Sequence, residues 1–95
     1  MPDFILLMHD DATGAEGNWN AYLAILGAAG VLRGGSAIGG GRSYRKAGTP
    51  LPTGTGITGF VRIATADIDE AATLLVGNPA FEAGGTVEIR ELAAD

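Results

Sequence analysis

Apolar residues recur in two rhythms along this chain, and the two rhythms alternate in the same order twice. Phe4-Ile5-Leu6-Leu7-Met8 is an unbroken apolar run, which predicts a strand over Asp3–His9 covered on both faces. After the polar, glycine-containing loop Asp10–Gly17, Trp19, Tyr22, Leu23 and Leu26 return at helical spacing. They predict a helix over Trp19–Ala29, opened by Asn18 as N-cap and closed by Gly30 in the left-handed cap position. A second strand follows over Val31–Ile38, interrupted by Gly34 and Gly35, where a bulge or a close backbone approach is expected.

Gly39-Gly40-Gly41 marks a turn, Arg42–Lys46 a short hairpin arm, and the proline- and glycine-rich stretch Ala47–Gly56 a loop. The same sequence of rhythms then repeats. Ile57–Ala64 reads as a strand with Val61 and Ile63 on one face and Phe60, Arg62 and Ala64 on the other. Asp67 and Glu70 fit a capping box, and Ile68, Ala71, Ala72, Leu75 and Val76 form the apolar face of a helix ended by Gly77-Asn78-Pro79. Phe81 is expected to plug the layer between helix and sheet, and Gly84-Gly85 to turn the chain into a last strand, Thr86–Leu92.

Strand-helix-strand twice over, with right-handed crossovers, places both helices on one side of a four-stranded sheet. The expected fold is an α+β, ferredoxin-like βαββαβ sandwich in one domain spanning residues 1–95, its first and third strands central. The other face of such a sheet receives either Phe4, Leu6 and Met8 or Ile5 and Leu7, together with Phe60. An exposed apolar face of several hundred Å² (roughly) is unusual on a monomer. The expectation is therefore a two-fold homodimer with sheets packed face to face, a dimeric α/β barrel. The alternative is a monomer that covers this face with its own Arg42–Gly56 segment.

Composition narrows the partners. The chain carries 11 acidic and 6 basic residues, a formal net charge of −5, which argues against nucleic acid as a partner. Cysteine is absent and His9 is the lone histidine, so disulfides, thiolate chemistry and a multi-histidine metal site within one subunit are excluded. No metal or other cofactor is implied. The apolar run near the N-terminus is too short for a signal peptide or a membrane span, so a cytoplasmic location with no membrane partner is expected.

The segments FILLMHDD, WNAYLAILGAAGVLRGG and ITGFVRIATADIDEAATLLVGNPAFEAGGTVEIREL resemble the YCII-related proteins, in the branch grouped with the DGPF-domain proteins. The resemblance runs from about Phe4 to Leu92 and is most specific in Ala28–Leu32, Asp69-Glu70-Ala71 and Gly84–Arg90. It implies a dimeric α/β barrel and small-molecule chemistry built on a His–Asp pair, with the histidine on the first helix. Here Tyr22 stands at the equivalent helical position, and Gly54-Thr55-Gly56-Ile57 replaces the Asp-Gly-Pro-Phe signature.

Three places carry candidate chemistry. His9-Asp10-Asp11 ends the first strand; His9 reads either as a general base with a carboxylate partner or as a strand terminus entering a solvated loop. Adjacent strand side chains point apart, so Asp10 need not be that partner. Arg42, Arg45 and Lys46 with Tyr44 form a basic cluster that either steers an anionic ligand or solvates the arm. Arg62 lies mid-strand on the face away from the helices; it either pairs with Glu88 or binds a carboxylate ligand between subunits. Arg33 and Ser36 are further candidates for that cavity. Trp19 and Tyr22 read as helix-face packing, with a substrate platform as the alternative. The leading functional expectation is a small-molecule-binding protein, with a lyase or isomerase step on His9 as its enzymatic form; the alternative is a dimerisation or regulatory module without a ligand.

Overall fold

A computed structural model describes residues 1–53 and 56–93. The order is β1 (Asp3–His9), α1 (Trp19–Ala28), β2 (Leu32–Ala37), β3 (Ile57–Ala64), α2 (Ile68–Thr73), α3 (Pro79–Glu82) and β4 (Val87–Leu92). The strands form one antiparallel sheet in the order β2-β3-β1-β4, so β1 and β3 are central as expected. This is a ferredoxin-like α+β arrangement.

The doubly apolar β1 now resolves into two faces. Phe4, Leu6 and Met8 are buried, and Val61 and Ile63 of β3 join them beneath Tyr22 and Leu26 of α1, Ala71 of α2 and Ala80 of α3. Ile5 and Leu7 point the other way, only half-buried, beside Phe60. In register, Leu7 lies between Phe60 and Glu88, and Ile5 between Arg62 and Arg90. The face away from the helices is thus apolar at its centre and charged toward β4.

The ends of α1 follow local chemistry. Asn18 Oδ1 accepts from the Ala21 amide at 3.1 Å, satisfying one orphan donor of the first turn. Gly30 sits at φ +75°, and its amide donates to Gly27 O while Val31 N donates to Leu26 O. That pair of bonds is a Schellman close, which needs a residue at ease in the left-handed region.

Three expectations are corrected. The hairpin arm at Arg42–Lys46 is not formed: the segment has no strand pairing and is held by Ser43 Oγ to Thr53 Oγ1 (2.9 Å) and by Arg45 to the Thr49 carbonyl (3.3 Å). Its residues lack apolar alternation, and Pro50 and Pro52 cannot donate to a ladder. The helix expected over Ile68–Val76 stops at Thr73, because the Leu74 and Leu75 amides bond three residues back and tighten the last turn. That tightening half-buries Leu74 and Leu75 and turns Val76 out to 78% exposure; Ile68 is also exposed.

Phe81, third, does not plug the layer; it is 44% exposed. Asn78-Pro79 does not merely stop α2 but starts α3, with Asn78 Oδ1 accepting from the Ala80 and Phe81 amides. Pro79 and Ala80 then take the inward positions and Phe81 follows on the outer side. The Gly54-Thr55 part of the segment standing in place of the Asp-Gly-Pro-Phe signature lies outside the described residues.

Candidate functional site

The C-terminal end of β1 is clasped to its two neighbours. The His9 amide donates to Thr86 O at 2.9 Å, and the Asp10 amide to Gly56 O at 2.6 Å. Asp11 closes the clasp: its carboxylate accepts from the Thr86 hydroxyl at 2.5 Å and from the Thr86 amide at 2.7 Å. Those two bonds, the hydroxyl first, hold the Asp11 carboxyl below its ordinary pKa, since both favour the ionised form.

This clasp fixes the direction of His9. By strand alternation His9 shares the open face with Ile5 and Leu7, and Glu88, opposite Leu7, shares it too. His9 Nε2 lies 3.1 Å from Glu88 Oε1, and Arg90 donates to Glu88 Oε2 at 3.2 Å. Arg90 first and His9 second lower the Glu88 pKa by stabilising its carboxylate. An ionised carboxylate only accepts, so the bond requires the proton on Nε2. A neutral imidazole in this arrangement therefore carries its lone pair on Nδ1. Asp10 takes no part in the pair; it is exposed in the loop beyond the strand.

Arg62 lies on the same open face, opposite Ile5, four residues and so about 13 Å along β1 from His9. The expected Arg62–Glu88 pair is not made. The register sets Arg90 rather than Glu88 across from Arg62 on the far side of β1, and Arg62 instead donates to Asp3 Oδ2 at 3.4 Å. Both partners are partly solvated, where such a pair contributes about 0–1 kcal/mol.

The other candidates are dispersed. Ser36 is on the open face opposite Phe60, with its hydroxyl donating to Ala37 O at 2.8 Å. Arg33 sits at the β2 bulge, its guanidinium donating to the Gly30 carbonyl just beyond α1 and to the Leu32 carbonyl at the start of β2. Arg42 and Tyr44 lie on the irregular segment after β2, Tyr44 84% exposed. Tyr22 is buried and donates its hydroxyl to Leu74 O at 2.7 Å; burial raises its pKa. Glu88, Asp11 and Thr86 went unrecognised as a group in the sequence. The signal that links Glu88 to His9 is parity: positions 5, 7 and 9 of β1 share a face with 88 and 90 of β4 once Leu7 is set opposite Glu88.

Among the described residues no cluster of three or more His, Asp or Glu side chains could hold a metal ion, and no helix is long and apolar enough to cross a membrane. No family model and no curated protein matches the chain. In fold, the chain is similar to the solved structure of 5-chloro-2-hydroxyhydroquinone dehydrochlorinase (TftG) from Burkholderia phenoliruptrix AC1100 in complex with 2,5-dihydroxybenzoquinone. The TM-score is 0.54 and the identity 16%, over 97% of this chain and 95% of that one. At that identity the likeness shows a shared fold.

Proposed function

We propose that the chain is a YCII-related small-molecule-binding protein that works as a face-to-face homodimer, with its ligand held against the charged side of the open sheet face. The observation that carries this is the His9–Glu88–Arg90 chain, an oriented imidazole at the edge of an apolar patch. Glu88 takes the orienting role that the sequence offered to Asp10. With Nε2–H committed to Glu88, Nδ1 is the atom that accepts a proton from a bound molecule. Arg90 and Arg62 provide positive charge for a polar or anionic ligand on the same face. The reaction class this suits is a lyase or isomerase step begun by proton removal. The structurally similar protein is named for a dehydrochlorination, a reaction that removes hydrogen and chlorine from one molecule.

The dimer rests on Ile5, Leu7 and Phe60, half-buried in the single chain and contiguous across β1 and β3. A second reading, a dimerisation module without a ligand, is favoured by one observation: Tyr44 and Arg42 do not join His9 and Arg62 at one place.

Native mass spectrometry of gently purified protein separates these readings. The proposal expects a dimer carrying a small molecule that His9→Ala loses without a large fall in melting temperature, and a monomer for Leu7→Asp. A dimer that retains nothing at any stage supports the second reading. A monomeric wild-type chain, or a molecule retained equally by His9→Ala, overturns the proposal.

A further inference from the structure

The helix side of the sheet holds a cleft of about 410 Å³ between α1 and the β2–β3 half of the sheet. Its floor is backbone. Gly35 of β2 and Gly59 of β3 both fall on the helix-facing register, opposite Val61 and Ala37. A Cβ at Gly35 would lie 2.7 Å from the Phe60 carbonyl oxygen, so the close strand approach itself keeps side chains off this floor. The core stops short here as well: α1 buries Tyr22 and Leu26, whereas Trp19 and Leu23 are only partly covered and form the outer wall with Met8 opposite.

That wall is fixed in place. The Trp19 ring meets Tyr22 edge-on, centroids 5.8 Å apart at 80°, and its Nε1–H donates to Glu16 Oε1 at 3.2 Å. A flat floor facing a held indole suits a planar ring, and the volume lies in the range of small-molecule sites. Glu16 is the one ionisable side chain on the lining. Its carboxylate repels anions and accepts from donors.

We propose that this cleft binds a flat aromatic molecule, uncharged or cationic, bearing a hydrogen-bond donor that Glu16 accepts. Met8 lines the cleft while His9, the next residue, stands on the opposite face of the sheet, so the cleft is distinct from the His9–Glu88 site and does not depend on it.

Trp19 is the sole tryptophan, so its fluorescence reports on this wall alone. Benzamidine, benzamide and benzoate are nearly the same shape and differ in charge. Titrated against the full chain at physiological salt, benzamidine and benzamide are expected to give a saturable change in Trp19 emission. Benzoate should bind more weakly than benzamidine by on the order of fivefold. Ala37→Phe, which projects into the cleft from β2, should abolish saturation while far-ultraviolet dichroism stays native. Glu16→Gln, an exposed position, should bring benzamidine and benzoate to nearly equal affinity, and it decides the charge argument even where Ala37→Phe fails to fold. Linear, non-saturating quenching by all three, tighter binding of benzoate, or a charge preference unchanged in Glu16→Gln overturns the proposal.

Discussion

Replacing Tyr22 by Phe tests the packing that holds α1 to the rest of the chain. The ring is 3% exposed and its hydroxyl donates to the Leu74 carbonyl at 2.7 Å, tying α1 to the tightened turn after α2. The buried Asn78 Nδ2 makes no hydrogen bond among the described residues. Phenylalanine keeps the ring and deletes one hydrogen bond, about 1 kcal/mol net. It also leaves the Leu74 carbonyl without its partner, about 1 kcal/mol more. The expected loss is therefore about 2 kcal/mol, or 8–16 °C (roughly) in Tm for a domain of this size. Urea unfolding followed by circular dichroism should show a lower midpoint at an unchanged m-value, with protein concentration held fixed because any association adds to apparent stability. A midpoint within error of wild type would mean that the hydroxyl is as well served by water, and that the α1–α2 tie is not where the structure puts it.

Four further outcomes follow from the same geometry. Ionised Tyr22 is disfavoured in the folded state, so stability should hold below about pH 10 and decline as pH rises beyond it; Tyr22→Phe should flatten that decline in an alkaline melting series. Asp11 and Glu88 have lowered folded pKa values, so their contribution is present above the unfolded carboxylate pKa and is lost as pH falls below about 4. Thr86→Val should move the Asp11 titration, read by carboxyl NMR shifts, up toward 3.8, and an unmoved titration would refute the Thr86 assignment. Asn78→Ala removes the cap that accepts from the Ala80 and Phe81 amides and should cost about 1 kcal/mol, measured by chemical denaturation; no loss would show that α3 needs no cap.

The elements legible in the sequence were those whose pattern is local and long enough to repeat. Strand alternation in β3 and β4, the Asn18 cap, Gly30 and the Asp67 cap each name their own structure within a few residues. Even Glu70 reaches back as a capping residue does, to the amide of Ala66. Leu75 and Val76 carry the apolar rhythm past the end of α2, and rhythm cannot reveal that the backbone tightens at Leu74. The size of Phe81 suggests burial, but the Asn78-Pro79 start of α3 turns Ala80 inward in its place. The site was less legible than the fold. Which face Arg62 takes follows from parity, but its partner depends on register with β1, and register comes from pairing between distant segments. The same dependence hid the bonds from His9 to Glu88 and from Asp11 to Thr86, partners more than seventy positions apart in the chain.

The outer strands also govern how far the molecule can be extended. Along β2 the register slips between Leu32 and Gly34, and Arg33 folds back onto the end of α1. Along β4, Glu88, Arg90 and Glu91 crowd a six-residue strand with charge. The slip along β2 and the charge along β4 each discourage a further strand from zipping onto that border. Were two copies to stack across the open face, the apolar centre formed by Ile5, Leu7 and Phe60 would be consumed in that one event, and an assembly closed in that way would have no like surface left on which to lengthen.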